Sequence, residues 1–215
     1  MNQICLLAFC CLTIVTAGFG QSPTPSSTKT AVFAGGCFWC IQPAFDKASG
    51  VIKTVVGYCG GTEPNPTYKL VTSEKPKYRE SIEITYDPAK ISYQPLLDIY
   101  WRQIDPTQSD GQFTDIGPSY RAAIFYSDAE EKKIAEASKE KLTSSGKFKK
   151  PIVTEILPAM KFWPAEDYHQ KYFDYNPGQV YCRLVIAPKV EKFEKVFKNK
   201  LKSNSKNGEI ANNGN

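Results

Sequence analysis

Histidine is nearly missing: His169 is the one copy in 215 residues, and that scarcity narrows the chemistry before any motif is read. One imidazole cannot build a His-rich metal centre, and no carboxylate pair is spaced to complete one, so no metal is expected. The Cys37-x-x-Cys40 pair has no second copy, so a four-cysteine zinc site would need scattered ligands. Internal repeats and heptads are absent, and beyond the N-terminus no apolar run is long enough to span a membrane. Also lacking is the interleaving of basic and aromatic residues over a face that a nucleic-acid reader needs. The net charge of +5 does not supply it, because residues 189–215 hold seven Lys and three Glu and leave the body close to neutral. That run reads as a solvated helix followed by a polar, disordered tail at 202–215.

What is present starts with an apolar, uncharged stretch from Ile4 to Phe19, followed by a segment rich in Pro, Ser and Thr. Residues 1–20 read as a signal peptide cleaved after Ala17 or Gly20, although Met1-Asn2-Gln3 lacks the usual Lys or Arg, and 21–30 read as a linker. Export to the periplasm or the extracellular space is the corresponding expectation. Cys5, Cys10 and Cys11 then leave with the signal, and Cys37, Cys40, Cys59 and Cys182 remain. In an oxidising compartment such thiols drift toward disulfides, so a catalytic thiol there needs a dedicated electron donor. Residues 31–201 suffice for one large domain.

The chain is organised around Ala31 to Cys40. Ala31 to Ala34 are apolar and suit a short buried strand; Gly35-Gly36 permit a sharp turn; Phe38 to Ser49 can run on as a helix. Cys37 then stands at a helix start, where unpaired N–H groups and the positive end of the macrodipole favour a thiolate. Spacing alone leaves a catalytic thiol, a redox disulfide and a structural or metal role all open.

Further along, Val51 to Tyr58 and Tyr78 to Tyr86 suit strands, with Lys69 to Lys77 irregular between them. In the second strand Glu80 shares a face with Ile82 and Ile84. Ser92 suits an N-cap for a helix through Trp101, and a long loop follows from Ile104 to Ser119. Tyr120 to Tyr126 reads as a strand, Asp128 caps a helix to about Leu142, and Ile152 to Leu157 is a further strand. Ala165 to Tyr172 suits a short helix and Pro188 to Leu201 a Lys-rich one. The order β-α-β-β-α-β predicts an α+β fold with a ferredoxin-like split βαβ core, extended by a helix and strand and wrapped by C-terminal coil.

The motif at Gly35-Gly36-Cys37-Phe38-Trp39-Cys40 has companions. They are Gly57-Tyr58-Cys59-Gly60-Gly61, Pro64-Asn65-Pro66-Thr67-Tyr68, Glu80 before Tyr86-Asp87-Pro88, Ile104-Asp105-Pro106, Tyr120-Arg121 and Ala165-Glu166-Asp167-Tyr168-His169-Gln170. In this order the set resembles the A-type peptide methionine sulfoxide reductases over about residues 31–197. The resemblance implies a thiol-dependent reduction of methionine S-sulfoxide, free or in proteins, without a cofactor. Cys37 would be the nucleophile that becomes a sulfenic acid and Glu80 the acid that protonates the sulfoxide oxygen. Tyr68 and Tyr120 would be hydrogen-bond donors, Asp115 a polar site residue, and Phe38 and Trp39 the walls around the methyl group. Cys182 matches a resolving cysteine on a mobile segment, and Cys40 is its rival. A thioredoxin-type partner would reduce the resulting disulfide, and a monomer is expected. His169 belongs to a supporting motif in that family and is not the nucleophile's base. Two departures stand out: Cys59 replaces a more usual Thr, and Tyr78 replaces a usual His beside Arg79, which could tune Glu80.

The chemistry stands without the family. A sulfoxide is a poor electrophile, so attack on its sulfur is helped by a proton delivered to its oxygen. A carboxylic acid in an apolar setting can hold that proton near neutrality. Two rival readings remain: a general CxxC thiol–disulfide oxidoreductase, and a secreted binding domain stapled by two disulfides. The first leaves Glu80 and the tyrosines unexplained, and four cysteines are few for the second.

Overall fold

The computed structural model describes residues 27–73 and 77–202. The signal-peptide reading and all but Lys202 of the tail reading fall outside those residues, as do Cys5, Cys10 and Cys11. Of the linker, Lys29 and Thr30 belong to the first strand. In chain order the elements are β1 (Lys29–Ala34), α1 (Phe38–Asp46), β2 (Val51–Cys59), α2 (Tyr68–Thr72), β3 (Arg79–Tyr86) and α3 (Tyr93–Gln103). They continue with β4 (Gly111–Gln112), β5 (Asp115–Ile116), β6 (Ala123–Tyr126), α4 (Ala129–Ser144), β7 (Glu155–Pro158), β8 (Trp163–Pro164), α5 (Tyr172–Tyr175) and α6 (Ala187–Val196).

The main sheet runs β7-β6-β1-β3-β2-β8, and β4 and β5 form a separate hairpin. Within it, β6-β1-β3-β2 are mutually antiparallel, which is the split βαβ arrangement expected from the element order. β7 adds in parallel to β6, and β8 caps the β2 edge. The core lies between the sheet and α1 and α3. Phe33 of β1 is fully buried against Phe45, Tyr93 and Tyr100, with ring centroids 5.0 to 6.0 Å away. Cutting such a ring back to alanine costs about 3–5 kcal/mol, so this layer fixes the ends of β1 and β3 that carry the site.

The turn from β1 into α1 needs its glycines. Gly36 has φ +83°, and a Cβ on it would lie 2.6 Å from Cβ of Gln112. A Cβ on Gly35 would lie 2.9 Å from Ile104. The turn is thereby pressed against α3 and the β4–β5 hairpin, and Cys37 emerges beside Asp115 of that hairpin.

Several local expectations are corrected. β1 starts at Lys29 because its backbone pairs with Tyr86, although its first side chains are exposed. α1 ends at Asp46 rather than Ser49, and Gly50 at φ +88° turns the chain into β2. Part of the segment expected to be irregular is α2, started by Thr67, whose hydroxyl accepts from the Leu70 amide at 3.3 Å. Asp128 does cap α4, accepting from the Glu131 amide at 2.8 Å, whereas the Ser92 side chain makes no cap bond. The long loop holds the β4–β5 hairpin, and Tyr120 ends a 3₁₀ turn (Pro118–Tyr120), so the next strand starts only at Ala123. Residues Ala165 to Tyr172 make one 3₁₀ turn (Asp167–His169) before Lys171 turns the chain at φ +52°. The segment expected as enclosing coil does wrap the site, largely as short helical turns. Its last part is a π-helical turn (Cys182–Ile186) continuing into α6.

Candidate active site

A cavity of about 120 Å³ opens where the start of α1, β3, α2 and the β4–β5 hairpin meet. Cys37, Phe38, Trp39, Tyr68, Glu80, Asp115, Tyr120 and Tyr181 line it. Its size suits the end of one side chain and is far below that of a drug-sized pocket. Seven of these residues are the ones singled out from sequence, drawn from five separate stretches of chain. Tyr181 was missed, since nothing in its local sequence marks it apart from the neighbouring Cys182.

Glu80 is 1% exposed, and the Phe38 amide donates to its Oε2 at 3.1 Å. Burial pushes its carboxyl up to about 8; the negative charges of Asp115 and Cys40 add to the rise, and the Phe38 amide opposes it. A carboxylic acid that keeps its proton at neutral pH therefore faces the thiol. Burial also raises Tyr68 to about 12 and pushes Tyr120 and Tyr181 upward, so all three hydroxyls are donors.

The helix-start argument places negative charge on Cys37, and here the structure corrects it. The amide of Phe38, the first in α1, is spent on Glu80, and the Cys37 side chain makes no cap bond. Its hydrogen bond to the Cys40 sulfur, its burial and the charges of Cys40 and Glu80 push the Cys37 thiol up, against a smaller pull from the Trp39 amide. Cys40 comes down to about 7, chiefly through that bond from Cys37, with help from Lys189 and Tyr181 and against its burial. The two sulfurs titrate together, so the lowered value belongs to the pair. Arg79 does not tune Glu80 either. It points to the other side of β3, where it pairs with Glu155 and donates to the Ala122 carbonyl at 3.3 Å. Tyr78 is buried beside Phe38 and Tyr58, with its hydroxyl on the Glu63 carbonyl.

The Ala165–Gln170 motif supplies supports. Glu166 accepts from the Tyr58 hydroxyl at 2.8 Å and from the Tyr68 amide at 2.9 Å, which seats α2. Gln170 bonds both the amide and the carbonyl of Val56, acting like one more strand residue on β2. Trp39 donates its indole N–H to Nδ1 of His169 at 3.1 Å and stacks on Tyr172 at 3.8 Å, so its ring is held on both sides. With Nδ1 as acceptor, His169 is a neutral support. Among the described residues no three His, Cys, Asp or Glu side chains gather as a metal would need.

The profile of the peptide methionine sulfoxide reductases matches residues 29–201. The chain belongs to that family. It is 54% identical over 149 residues to peptide methionine sulfoxide reductase MsrA of Bacillus licheniformis, covering 69% of this chain and 82% of that one. Among solved structures, methionine sulfoxide reductase A of Corynebacterium diphtheriae superposes with TM-score 0.63 and 33% identity over 72% of this chain and 77% of that one. Reduced Mxr1 from Saccharomyces cerevisiae gives TM-score 0.67 and 30% identity over 74% and 91%. The enzyme is thus a methionine sulfoxide reductase of mixed α+β fold.

In this reductase three of the four described cysteines lie together. Cys37, Cys40 and Cys182 form one buried cluster with Ile186 and Val190. Cys182 is fully buried in the π-helical turn. Tyr181, next to it, places its hydroxyl 3.4 Å from Cys40 Sγ and donates to Asp115 Oδ2 at 2.8 Å. Cys59 lies in a different cluster with Ala34, Ala123 and Phe125, and burial pushes its thiol up to about 11. It is an inert filler.

Proposed function

We propose that the reductase works by sulfur attack coupled to proton delivery, as follows. A methionine S-sulfoxide enters the 120 Å³ cavity with its methyl group between Phe38 and Trp39. Its oxygen faces Glu80, Tyr68 and Tyr120. The Cys37–Cys40 pair gives up one proton at about 7, and with the negative charge on Cys37 that sulfur attacks the sulfoxide sulfur. Glu80 protonates the oxygen as the S–O bond gives way. The hydroxyl so formed passes to the Cys37 sulfur as the transient bond between the two sulfurs breaks, so methionine leaves with the electron pair and Cys37 is left as a sulfenic acid. The observation that carries this reading is the buried Glu80 carboxyl, protonated up to about 8 and sharing one small cavity with Cys37.

The sulfenic acid then condenses with a second thiolate, releasing water and leaving a disulfide. Cys40 is three residues on and packs with Cys37 in the same buried cluster, which favours it as the first to close. Cys182, in the same cluster, can take over the bond by exchange and carry it to the C-terminal segment. A dithiol reductant of the thioredoxin type would return both electrons, and the cycle needs no cofactor.

A chiral methyl sulfoxide with dithiothreitol tests the scheme. Wild type should consume the S epimer and Cys37→Ser should not. Turnover by that variant, or insulin reduction without sulfoxide turnover, would replace this reading with the CxxC oxidoreductase. Disulfide mapping after one equivalent of sulfoxide should find Cys37–Cys40 in Cys182→Ser.

A further inference from the structure

Away from the catalytic cavity, a groove of about 360 Å³ runs between α3 and α6, lined by Trp101, Phe113, Phe148, Phe193, Val196 and Phe197. Phe113, Phe148 and Val196 are 46%, 36% and 48% exposed, so large apolar side chains gather here at the surface. A second hollow of about 470 Å³ shares Trp101, Arg102, Phe148 and Phe197 with the first and continues it along α4. Round the two stand Arg102, Lys141, Lys147, Lys189, Lys192 and Lys200. Asp98 is the one carboxylate among the lining residues, and Gln94 donates to it at 3.0 Å. None of the six cations is ion-paired among the described residues. Lys189, Lys192 and Lys200 belong to the run read as a solvated helix, and with the other cations they edge an aromatic floor: Arg102 lies 5.5 Å over Phe197 and Lys189 4.0 Å over Phe113.

Phe113 of the groove and Asp115 of the catalytic cavity belong to one short stretch of chain. Phe113 stands at φ +55° between β4 and β5, two residues before Asp115, which lines the cavity. Lys189, packed on Phe113, also acts on the charge of Cys40. A polypeptide with its sulfoxide at Cys37 could pass Phe113 and lay its flanking residues in the groove.

We propose that this groove is an extended substrate site that selects oxidised polypeptides with acidic residues and an aromatic anchor near the methionine sulfoxide. The inference rests on the reductase mechanism proposed above and names its substrate class. Unpaired cations around an aromatic floor match carboxylates around an aromatic side chain, and such complementarity acts on encounter and on KM.

The probes are two short peptides, each with one central methionine sulfoxide and one tryptophan, identical except that the glutamates of one are glutamines in the other. At low salt kcat/KM should favour the acidic peptide by about tenfold, carried by KM, and the preference should shrink at high salt. Reversing charge with Arg102→Glu and Lys192→Glu should abolish it, while turnover of N-acetyl-methionine sulfoxide stays unchanged. Because Arg102 also packs on Phe197, a second pair, Lys141→Glu with Lys147→Glu, repeats the test away from that ring. Equal rates for the two peptides, or a preference that survives both reversals, would overturn the proposal. So would inhibition by a single-stranded oligonucleotide in the absence of any peptide preference. Failure of wild type on N-acetyl-methionine sulfoxide would instead strike the catalytic reading itself.

Discussion

Glu80 and Glu166 flank the same small region, one across the cavity from Tyr68 and the other bound to the Tyr68 amide. Glu80 is 1% exposed and has one amide donor, and burial drives its carboxyl up to about 8. Glu166 is only half-buried. Desolvation raises it, but its donors, the Tyr68 amide and the Tyr58 hydroxyl, outweigh that and hold it below the usual carboxylate range. The same side chain is an acid in one place and an anionic anchor in the other. Donors and access to water decide which.

The largest effect should come from removing the acid. Glu80→Gln keeps the Phe38 contact and loses the transferable proton, so the first chemical step should slow by about 10²- to 10⁴-fold. The pH profile carries the same information. The sulfur pair must lose a proton, through about 7, and Glu80 must keep its own, up to about 8, so kcat/KM should trace a narrow bell. In Glu80→Gln the alkaline limb should vanish and the acid limb remain. A wild-type profile flat from 6 to about 9 would break the contrast between the two glutamates.

Strand alternation and turn glycines are local signals and made the central sheet, the Cys37 turn and the inward face of Glu80 legible, while the other lining residues of the cavity were legible through the family resemblance of the motif set. Less legible was everything set by tertiary neighbours. The charge on Cys37 depends on a helix amide being taken by a residue 42 positions away, which no local reading of a helix start reveals. Tyr181 reaches Asp115 across 66 positions. The burial of Cys182 follows from a π-helical turn that no periodicity announces. The 3₁₀ turn and left-handed Lys171 broke up a stretch whose composition suited a helix.

Stability should divide the two carboxyls by sign. Glu80 binds its proton more tightly when folded, so its burial costs stability as pH rises from about 4.5 to about 8. Glu80→Gln does not titrate and should gain about 3–5 kcal/mol over wild type above that window, and close to nothing below it. Glu166 is the reverse case. Its folded value lies below the usual range, so its contribution is present above about 4.5 and lost on acidification. Glu166→Gln should therefore cost about 1–3 kcal/mol at neutral pH, with no added pH dependence between 6 and about 9. Chemical denaturation of both variants at pH 6 and 9 reads the difference. A stability gain in Glu166→Gln with rising pH would erase it.

The smallest effect sharpens the comparison most. Tyr58→Phe removes one donor from Glu166 and leaves the Tyr68 amide in place. If loss of donors alone turned a carboxylate into an acid, Glu166 would move toward the behaviour of Glu80. It has what Glu80 lacks, a path to solvent, so water can replace the lost hydroxyl. The expected cost is about 0.5–1.5 kcal/mol of stability, the net worth of one hydrogen bond. Turnover should stay within about twofold, because Tyr58 packs behind Phe38 and does not line the cavity. Should Tyr58→Phe instead create a new titration near neutrality, donor count rather than burial would be what separates the two glutamates. The elevated Glu80 would then trace to its shortage of donors, one amide alone, more than to its burial.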